Sequence, residues 1–337
     1  MSRLAICSVL TALVFVACSE DAPSTDEVPA RPDASVVADA STSLDGGSDG
    51  DAMPTSCQIE GAVHANGEVD PANPCRRCDS SQSTTSWLSL PEGASCGDGK
   101  LCAAGSCAVK CRIDGALHEP GAANPANECE ECRPAASTTG WSPRETVPLL
   151  VGGIDPATQG WTTLAVSQPA SLTLGADYTR LATSTNAGAR TSGQQLLTRA
   201  MAVPTDKPFG LRVILQVEAV TPHNQLDSGA AILGSLTGSV GSSADRSQMI
   251  YLDSDRIGWA DDTASFSAAV TNGEYHTVDL VVADDRKATV SIDGAVALTR
   301  NNFTTTGTIA VGDQTNDPNV DGVMRVRSVG RICPTVH

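Results

Sequence analysis

The 337-residue chain is poor in aromatic and basic residues. Aromatic side chains make up 3% of it, and 22 lysines and arginines stand against 39 aspartates and glutamates, giving a formal net charge of −17. This acidic surplus argues against nucleic acid or anionic lipid as a partner. Because the core of a folded domain would absorb most of the few aromatic rings, a flat aromatic platform for polysaccharide is not expected.

Common catalytic motifs are also missing. The sequence contains no G-x-S-x-G, no H-E-x-x-H and no phosphate-binding loop. The histidines of the second half, His223, His276 and His337, have no evident nucleophile partner in the sequence. We therefore expect a protein that is not an enzyme.

Long apolar runs are absent, except for one near the N-terminus. Leu4–Ala17 follows Arg3 and is too short for a stable membrane span, which is typical of a secretory signal peptide over residues 1–17. Phe15-Val16-Ala17-Cys18 resembles a bacterial lipobox. The resemblance implies that Cys18 is lipidated and anchors the protein in the cell envelope, and Ser19 beside it favours the outer membrane of a Gram-negative bacterium. The alternative is an ordinary signal peptide cleaved near Ala17, with Cys18 an incidental thiol.

The segment after the anchor, residues 18–55, predicts a disordered acidic linker. Nine acidic residues lie there against one basic residue, Arg31, and there is no aromatic residue. Such a segment cannot bury enough apolar surface to offset the entropy lost on ordering.

One motif occurs twice, at Cys57–Trp87 and at Cys111–Trp141. The copies align without a gap at an offset of 54 residues, and about half of the positions are identical. Turn-forming glycines, prolines and asparagines fill both copies. We expect two cysteine-rich modules, residues 56–110 and a truncated second one over residues 111–146.

Ten cysteines outside Cys7 and Cys18 predict a disulfide framework, since exported small modules use bridges in place of a core. They are Cys57, Cys75, Cys78, Cys96, Cys102, Cys107, Cys111, Cys129, Cys132 and Cys333. Module 2 has an odd number of them, so Cys333 is the one candidate left for its missing partner. In module 1 we expect Cys57 to pair with Cys75 or Cys78, the other of these with Cys96, and Cys102 with Cys107, although sequence alone does not determine the connectivity.

Zinc is the alternative for these modules. Each copy holds three cysteines and one histidine at matched positions, a plausible tetrahedral set. The sets are Cys57, His64, Cys75 and Cys78, and Cys111, His118, Cys129 and Cys132. An oxidising envelope favours bridges over free thiolates.

The modules resemble cysteine-rich repeats of secreted and lipid-anchored Gram-negative proteins, with the elements N-P-x-N-x-C-x-x-C and S-T-T-x-W. Here these are Asn124–Cys132 and Ser137–Trp141. The resemblance implies an architectural or interaction role and no enzymatic activity.

Residues 147–337 predict one antiparallel β-sandwich, so the chain as a whole is expected to be mainly β. Short β-prone runs alternate with Gly, Asn and Asp, and no convincing long amphipathic helix is present. The clearest strands are Leu211–Val220, Gln248–Leu252, Arg256–Trp259, Tyr275–Ala283, Ala288–Ile292, Thr308–Val311 and Val323–Val329. Asp293-Gly294 is typical of a two-residue hairpin turn.

The run Tyr275–Gly294, followed by GTIAVGDQ and VDGVMRVRSV, resembles the concanavalin A-like or laminin G-like jelly roll over about residues 150–330. That fold hosts lectins, adhesion modules and glycosidases. The paired carboxylates that sandwich glucanases carry as E-x-D-x-x-E are missing. The resemblance therefore implies recognition of a glycan or a protein ligand.

The best candidate for a metal site is Asp317-Pro318-Asn319-Val320-Asp321-Gly322. Alternate oxygen-bearing side chains before a glycine resemble the first half of a calcium loop, and Asp317, Asn319 and Asp321 are the candidate ligands. The alternative is an acidic turn before the last strand.

Together these features predict a lipid-anchored envelope protein that recognises a ligand through its sandwich and requires no cofactor except, in this interpretation, calcium. The competing interpretations are a structural spacer without a dedicated ligand and, last, a hydrolase with an unfamiliar site.

Overall fold

The structure is a computed structural model that describes residues 55–166, 171–183, 194–201, 209–234, 248–303, 308–317 and 319–334. The expected signal peptide, Cys18 and the linker up to residue 54 lie outside the described residues, as does His337. No helix in the described part is long and apolar enough to cross a membrane.

Module 1 consists of three small antiparallel sheets: β1–β2, β3–β4 and β5–β6–β7. The strands are β1 Ser56–Ile59, β2 Ala62–Ala65, β3 Arg76–Asp79, β4 Ser83–Ser89, β5 Ser95–Gly97, β6 Lys100–Ala103 and β7 Ser106–Val109. The β1–β2 hairpin turns at Glu60-Gly61, where both residues have positive φ (51° and 86°). Such a turn matches the twist of the flanking strands, which explains the glycine.

Module 2 repeats the first hairpin and ends in a small three-stranded sheet, β10–β11–β12. Its strands are β8 Cys111–Ile113, β9 Ala116–His118, β10 Ala123–Asn124, β11 Asn127–Glu131 and β12 Ser142–Pro143. Asp114-Gly115 repeats the positive-φ turn (51° and 82°). Equivalent sequence therefore forms equivalent local structure.

The rest of the chain forms a two-sheet β-sandwich. One sheet has the order β15-β16-β27-β18-β23-β24-β25, with β13 also paired to β27, and the other has the order β14-β17-β26-β19-β20-β21-β22. The first half contains β13 Thr146–Val151, β14 Thr162–Val166, β15 Ser171–Leu174, β16 Thr179–Ala182, β17 Gln194–Ala200 and β18 Phe209–Val220. The second half contains β19 Ala231–Leu233, β20 Met249–Leu252, β21 Arg256–Trp259, β22 Ser265–Ser267, β23 His276–Val282, β24 Ala288–Ile292, β25 Ala295–Arg300, β26 Thr308–Asp313 and β27 Gly322–Ile332.

The core lies between the two sheets, where alternate residues of the strands meet. In β23, His276, Val278, Leu280 and Val282 are buried while the residues between them are more exposed. Asp293-Gly294 joins β24 to β25 with φ of 51° and 83°, the expected two-residue turn. The mainly-β fold class, with disulfide-rich modules and an antiparallel sandwich, is thus confirmed, and the seven strands expected from the sequence are all present.

All ten cysteines outside the N-terminal segment form bridges: Cys57–Cys78, Cys75–Cys102, Cys96–Cys107, Cys111–Cys132 and Cys129–Cys333. The pairing expected for the second half of module 1 is wrong. Cys75 is bonded to Cys102 and Cys96 to Cys107, because the β5–β6–β7 sheet folds Cys102 back onto Cys75 and leaves Cys96 beside Cys107.

The Cys129–Cys333 bridge joins module 2 to the end of the last strand across 204 residues. Cys333 donates its backbone N–H to Glu145 O at 2.8 Å, and Arg331 forms an ion pair with Glu128. The modules and the sandwich belong to one compact unit. The sulfur that the truncated module lacks is therefore supplied by the C-terminal end of the chain.

Candidate cation site at the loop rim of the sandwich

The structure places the three predicted calcium ligands in different environments. Asp317 and Asn319 lie near the surface, where Asp317 Oδ1 accepts hydrogen bonds from Asn319 N (2.9 Å) and Asn319 Nδ2 (2.8 Å). These bonds lower the pKa of Asp317. Asp321, in contrast, is 5% exposed. Asp317 Oδ2 also accepts a hydrogen bond from Asn224 Nδ2 at 3.4 Å, which links this acidic turn to the loop 221–230. Asp321 has a different set of neighbours.

Those neighbours include Asp313, which sequence reasoning missed because it lies outside the D-x-N-x-D spacing. Asp313 is the last residue of β26 and is 1% exposed. Its Oδ2 accepts a hydrogen bond from Thr183 Oγ1 at 2.5 Å, and its Oδ1 accepts one from Thr315 N at 2.9 Å. The hydroxyl of Thr315 in turn donates to Asp227 Oδ1 at 2.9 Å. One threonine therefore connects two carboxylates.

Burial raises the pKa of Asp313 well above its usual range, and the hydrogen bonds from Thr183 and Thr315 only partly oppose this. The negative charges of Asp321 and Asp227 raise the pKa further. Three carboxylates from three segments thus act on one another: the end of β26, the residue before β27, and the loop 221–230. We call Asp227, Asp313 and Asp321 the carboxylate cluster.

Close backbone contacts hold the loop 221–230 against the start of β27. Thr221 N donates to Asp321 O at 2.9 Å, and Asp321 N donates to Thr221 Oγ1 at 2.6 Å. A Cβ added at Gly229 would lie 2.2 Å from Asp321 O, so only glycine permits this approach. These contacts hold Asp227 and Asp321 on adjacent, fixed segments.

The donor chemistry of this site fits a hard divalent cation. Carboxylate oxygens supplied from several loops, with hydroxyls and backbone carbonyls nearby, are the ligands that calcium prefers. A cation among the carboxylates would also favour the charged form of Asp313, which burial disfavours. In the part of the chain that the structure describes, three ligand atoms meet within 4.8 Å only at Cys75, Cys96 and Cys107, so the three carboxylates are candidate ligands for a cation and not a closed site. The expected set Asp317, Asn319 and Asp321 stays a prediction, to which Asp313 and Asp227 are added as candidates.

His223 has a hydroxyl partner that the sequence did not reveal. Its Nδ1 lies 2.7 Å from Ser228 Oγ, its Nε2 lies 3.1 Å from Ala260 O, and its ring stacks on Tyr251 with centroids 4.1 Å apart. Ser228 is 2% exposed. We interpret this group as an anchor that fixes the loop 221–230.

One further aspartate, Asp253, and one further histidine, His276, have structural roles. Asp253 lies in the turn between β20 and β21 and accepts a hydrogen bond from His223 N at 2.8 Å, while burial raises its pKa. His276 Nδ1 lies 2.7 Å from Asp293 Oδ2 in the hairpin turn. Both arrangements join neighbouring turns of the sandwich.

In the modules, a histidine packs on a tryptophan at the same place in each copy. The ring centroids of His64 and Trp87 are 4.5 Å apart, and those of His118 and Trp141 are 4.7 Å apart. Trp87 packs against the Cys57–Cys78 bridge, as expected for a ring that covers a disulfide. Because the cysteines of both proposed zinc sets are in bridges, the structure does not contain three thiolates around either histidine.

No protein-family model matches the chain, and no curated protein matches it by sequence. Among solved structures, it is similar to the carbohydrate esterase vb_24B_21 of the Shiga toxin-encoding bacteriophage phi24B, with 17% identity, 56% of this chain and 100% of that chain covered, and a TM-score of 0.38. It is also similar to the lumenal domain of VIP36 in a Ca2+- and mannose-bound form, with 14% identity, 53% and 84% covered, and a TM-score of 0.36. A third is the carbohydrate recognition domain of Emp47p, with 12% identity, 51% and 88% covered, and a TM-score of 0.35. Because these TM-scores are low, the functional proposal below rests on this chain's own residues.

Proposed function

We propose that the protein is a non-catalytic recognition protein of the cell envelope, lipid-anchored through Cys18, whose β-sandwich binds a glycan or a protein ligand beside a calcium ion. The carboxylate cluster is the observation that carries this proposal. The modules serve as a disulfide-stabilised stalk between the anchor and the sandwich.

The position of the cluster supports a binding role over a purely structural one. Asp227, Asp313 and Asp321 lie where the loop 221–230 meets the last residue of β26 and the residue before β27, at strand termini rather than within the strands. Neighbouring surface side chains, including Asn224 and Asp317, carry oxygen and amide groups that suit hydroxyl-rich ligands. A calcium ion fixed in such loops would hold them in one arrangement and could share a ligand's hydroxyl groups.

The test is the thermal unfolding of the purified, oxidised protein in calcium and in chelator, followed by a glycan array in both buffers. A ligand that binds the folded state alone, at about 100 times its Kd, stabilises it by about 2.7 kcal/mol. We expect a higher Tm in calcium and calcium-dependent array signals. No shift in Tm would contradict the calcium site, and a shift with a blank array would favour a protein ligand.

The alternative is a structural spacer, in which the carboxylate cluster binds nothing. Magnesium at equal concentration distinguishes general ionic effects from a calcium site, because magnesium demands a tighter octahedral geometry. Equal shifts with the two ions, together with no ligand in array or pull-down, would favour the spacer. A hydrolase would instead show turnover of an envelope polymer, which an activity assay on such polymers would detect.

A further inference from the structure

Four cysteines of module 1 form two bridges that lie side by side. The Sγ atoms of Cys75, Cys96 and Cys107 all lie within 4.8 Å of one another, although Cys75 is bonded to Cys102 and Cys96 to Cys107. Thiol–disulfide exchange requires a sulfur to approach a second disulfide closely. We call these four residues the sulfur cluster.

The strand register also brings Cys102 and Cys107 of this cluster together. Cys102 on β6 lies directly opposite Cys107 on β7. Cys102 N donates to Ala94 O and Cys102 O accepts from Gly93 N, so both backbone groups of Cys102 point away from β7. The Cys102–Cys107 pair is therefore of the non-hydrogen-bonded type, whose Cα atoms lie about 4.5 Å apart, within the range that a disulfide spans.

Two pairings of the same four sulfurs are thus within reach of one backbone. The observed one is Cys75–Cys102 with Cys96–Cys107, and the second is Cys75–Cys96 with Cys102–Cys107. Converting one into the other keeps the loop at Cys75 attached to the β5–β6–β7 sheet, because Cys96 and Cys102 both lie on that sheet.

Burial decides which bridge an external thiol meets first. Cys75 and Cys102 are 0% and 1% exposed, whereas Cys96 and Cys107 are both partly exposed. Since exchange depends on access, the outer bridge Cys96–Cys107 is the point of attack.

We propose that the sulfur cluster is a thiol-reactive site at which a small-molecule thiol such as glutathione opens Cys96–Cys107 and drives exchange with the buried bridge. The incoming thiolate bonds to Cys107 Sγ, and Cys96 leaves as a thiolate. Cys96 then bonds to Cys75 Sγ and releases the Cys102 thiolate, which bonds to Cys107 Sγ and expels the incoming thiol. Three S–S bonds break and three form, the mixed disulfide with the thiol being one of each, so the thiol is regenerated and no net oxidation or reduction occurs.

The first experiment uses the purified, oxidised protein and a low concentration of reduced glutathione without oxygen. Free thiols are alkylated at acid quench, and bridges are mapped by mass spectrometry. We expect Cys75–Cys96 and Cys102–Cys107 peptides to appear after a glutathione adduct on Cys107. The Cys111–Cys132 bridge is the internal control, since it is equally buried (0% and 1%) but belongs to no such cluster in the described chain.

A pair of variants tests the same contact without an added thiol. Cys102→Ser frees Cys75 beside an intact neighbouring bridge, so Cys75 should be recovered bonded to Cys96 or Cys107, with the displaced cysteine free. Cys333→Ser frees Cys129, which the structure does not place in such a cluster, so Cys129 should remain a free thiol.

The two experiments together give a decision. A folded Cys102→Ser protein in which Cys75 stays free would overturn the proposal, as would glutathione opening Cys111–Cys132 as fast as Cys75–Cys102. If Cys102→Ser does not fold, the wild-type mapping decides: relayed products support the site, and adducts confined to Cys96 and Cys107 exclude exchange with the buried bridge.

Discussion

At the scale of single residues, the informative difference is between Asp313 and Asp317. Asp313 is the last residue of β26 and is buried beside two other carboxylates, whereas Asp317 lies in the following loop and is bonded to Asn319 near the surface. Burial, not spacing along the chain, therefore separates the environments of these two aspartates.

We predict that Asp313→Asn abolishes the calcium-dependent rise in Tm, because it removes one carboxylate of the cluster. Asp317→Asn is the matched control and should keep most of the rise, since Asp317 bonds to Asn319 and, at 3.4 Å, to Asn224 but lies outside the carboxylate cluster. Thermal unfolding of both variants in calcium and in chelator measures the effect. If Asp317→Asn is the variant that loses the response, the site belongs to the surface turn instead.

The raised pKa of Asp313 predicts a pH dependence of the calcium-free protein. A carboxyl whose pKa is higher in the folded state stabilises the fold while it is protonated, below its ordinary value of 3.8. This stability is lost as pH rises through the folded-state pKa. We therefore expect the free energy of unfolding in chelator to fall as the pH rises from the ordinary pKa of an aspartate to the folded-state pKa of Asp313. Calcium should make this fall smaller.

The control for this effect is the Asp313→Asn variant in chelator. Its free energy of unfolding should not show the decrease with rising pH that is assigned to Asp313. A carboxyl whose pKa is lowered on folding has the opposite effect, because it makes the free energy of unfolding rise with pH. Glu218 is such a group, since the hydrogen bonds and charges of Arg180 and Arg325 outweigh its burial and lower its pKa. Denaturant titrations of both proteins across the pH range separate the two contributions. Identical slopes in the two proteins would contradict the assignment to Asp313.

At the scale of elements, the loop 221–230 and the start of β27 depend on a contact that side chains would prevent. A Cβ at Gly229 would meet the Asp321 carbonyl, with its O at 2.2 Å and its C at 2.3 Å. Both are backbone atoms, which cannot turn aside as a flexible side chain would.

We predict that Gly229→Ala lowers the free energy of unfolding by about 1–3 kcal/mol, the usual cost of overpacking, and weakens calcium binding. Gly140→Ala is the control, because the nearest atom to its added Cβ is Ser137 Oγ at 3.6 Å. Denaturant unfolding and calcium titration of both variants measure this. If both variants lose the same stability and calcium affinity, the close backbone contact at Gly229 is not what holds the site.

At the scale of the whole molecule, one covalent bond ties the last strand of the sandwich to module 2. We predict that Cys333→Ser lowers the free energy of unfolding by about 2–5 kcal/mol, since a bridge that closes a long loop restricts the unfolded chain. Guanidinium unfolding without reductant measures the loss. An unchanged midpoint would show that the β13–β27 pairing alone holds the junction.

The anchor gives the second prediction at this scale. Cys18→Ala should move the protein from the membrane fraction to the soluble one and remove label from a radioactive fatty acid, because the lipid would supply the attachment. Cys7→Ala, in the same signal segment, is the control and should stay membrane-bound and labelled. A labelled Cys18→Ala protein would place the modification elsewhere.

The sequence by itself determined what depends on local patterns. The positive-φ glycine turns, the alternation along β23, the Asp293-Gly294 hairpin and the absence of a long amphipathic helix all follow from neighbours along the chain, as does the odd cysteine that Cys333 completes. Only the tertiary structure decided which distant groups meet. Asp313 pairs with Thr183 across 130 residues, His223 finds Ser228 through the shape of its loop, and Cys102 bonds to Cys75 rather than to Cys107 opposite it. The physical reason is that burial and the approach of separate loops set these contacts, and neither is encoded in the spacing of residues along the chain.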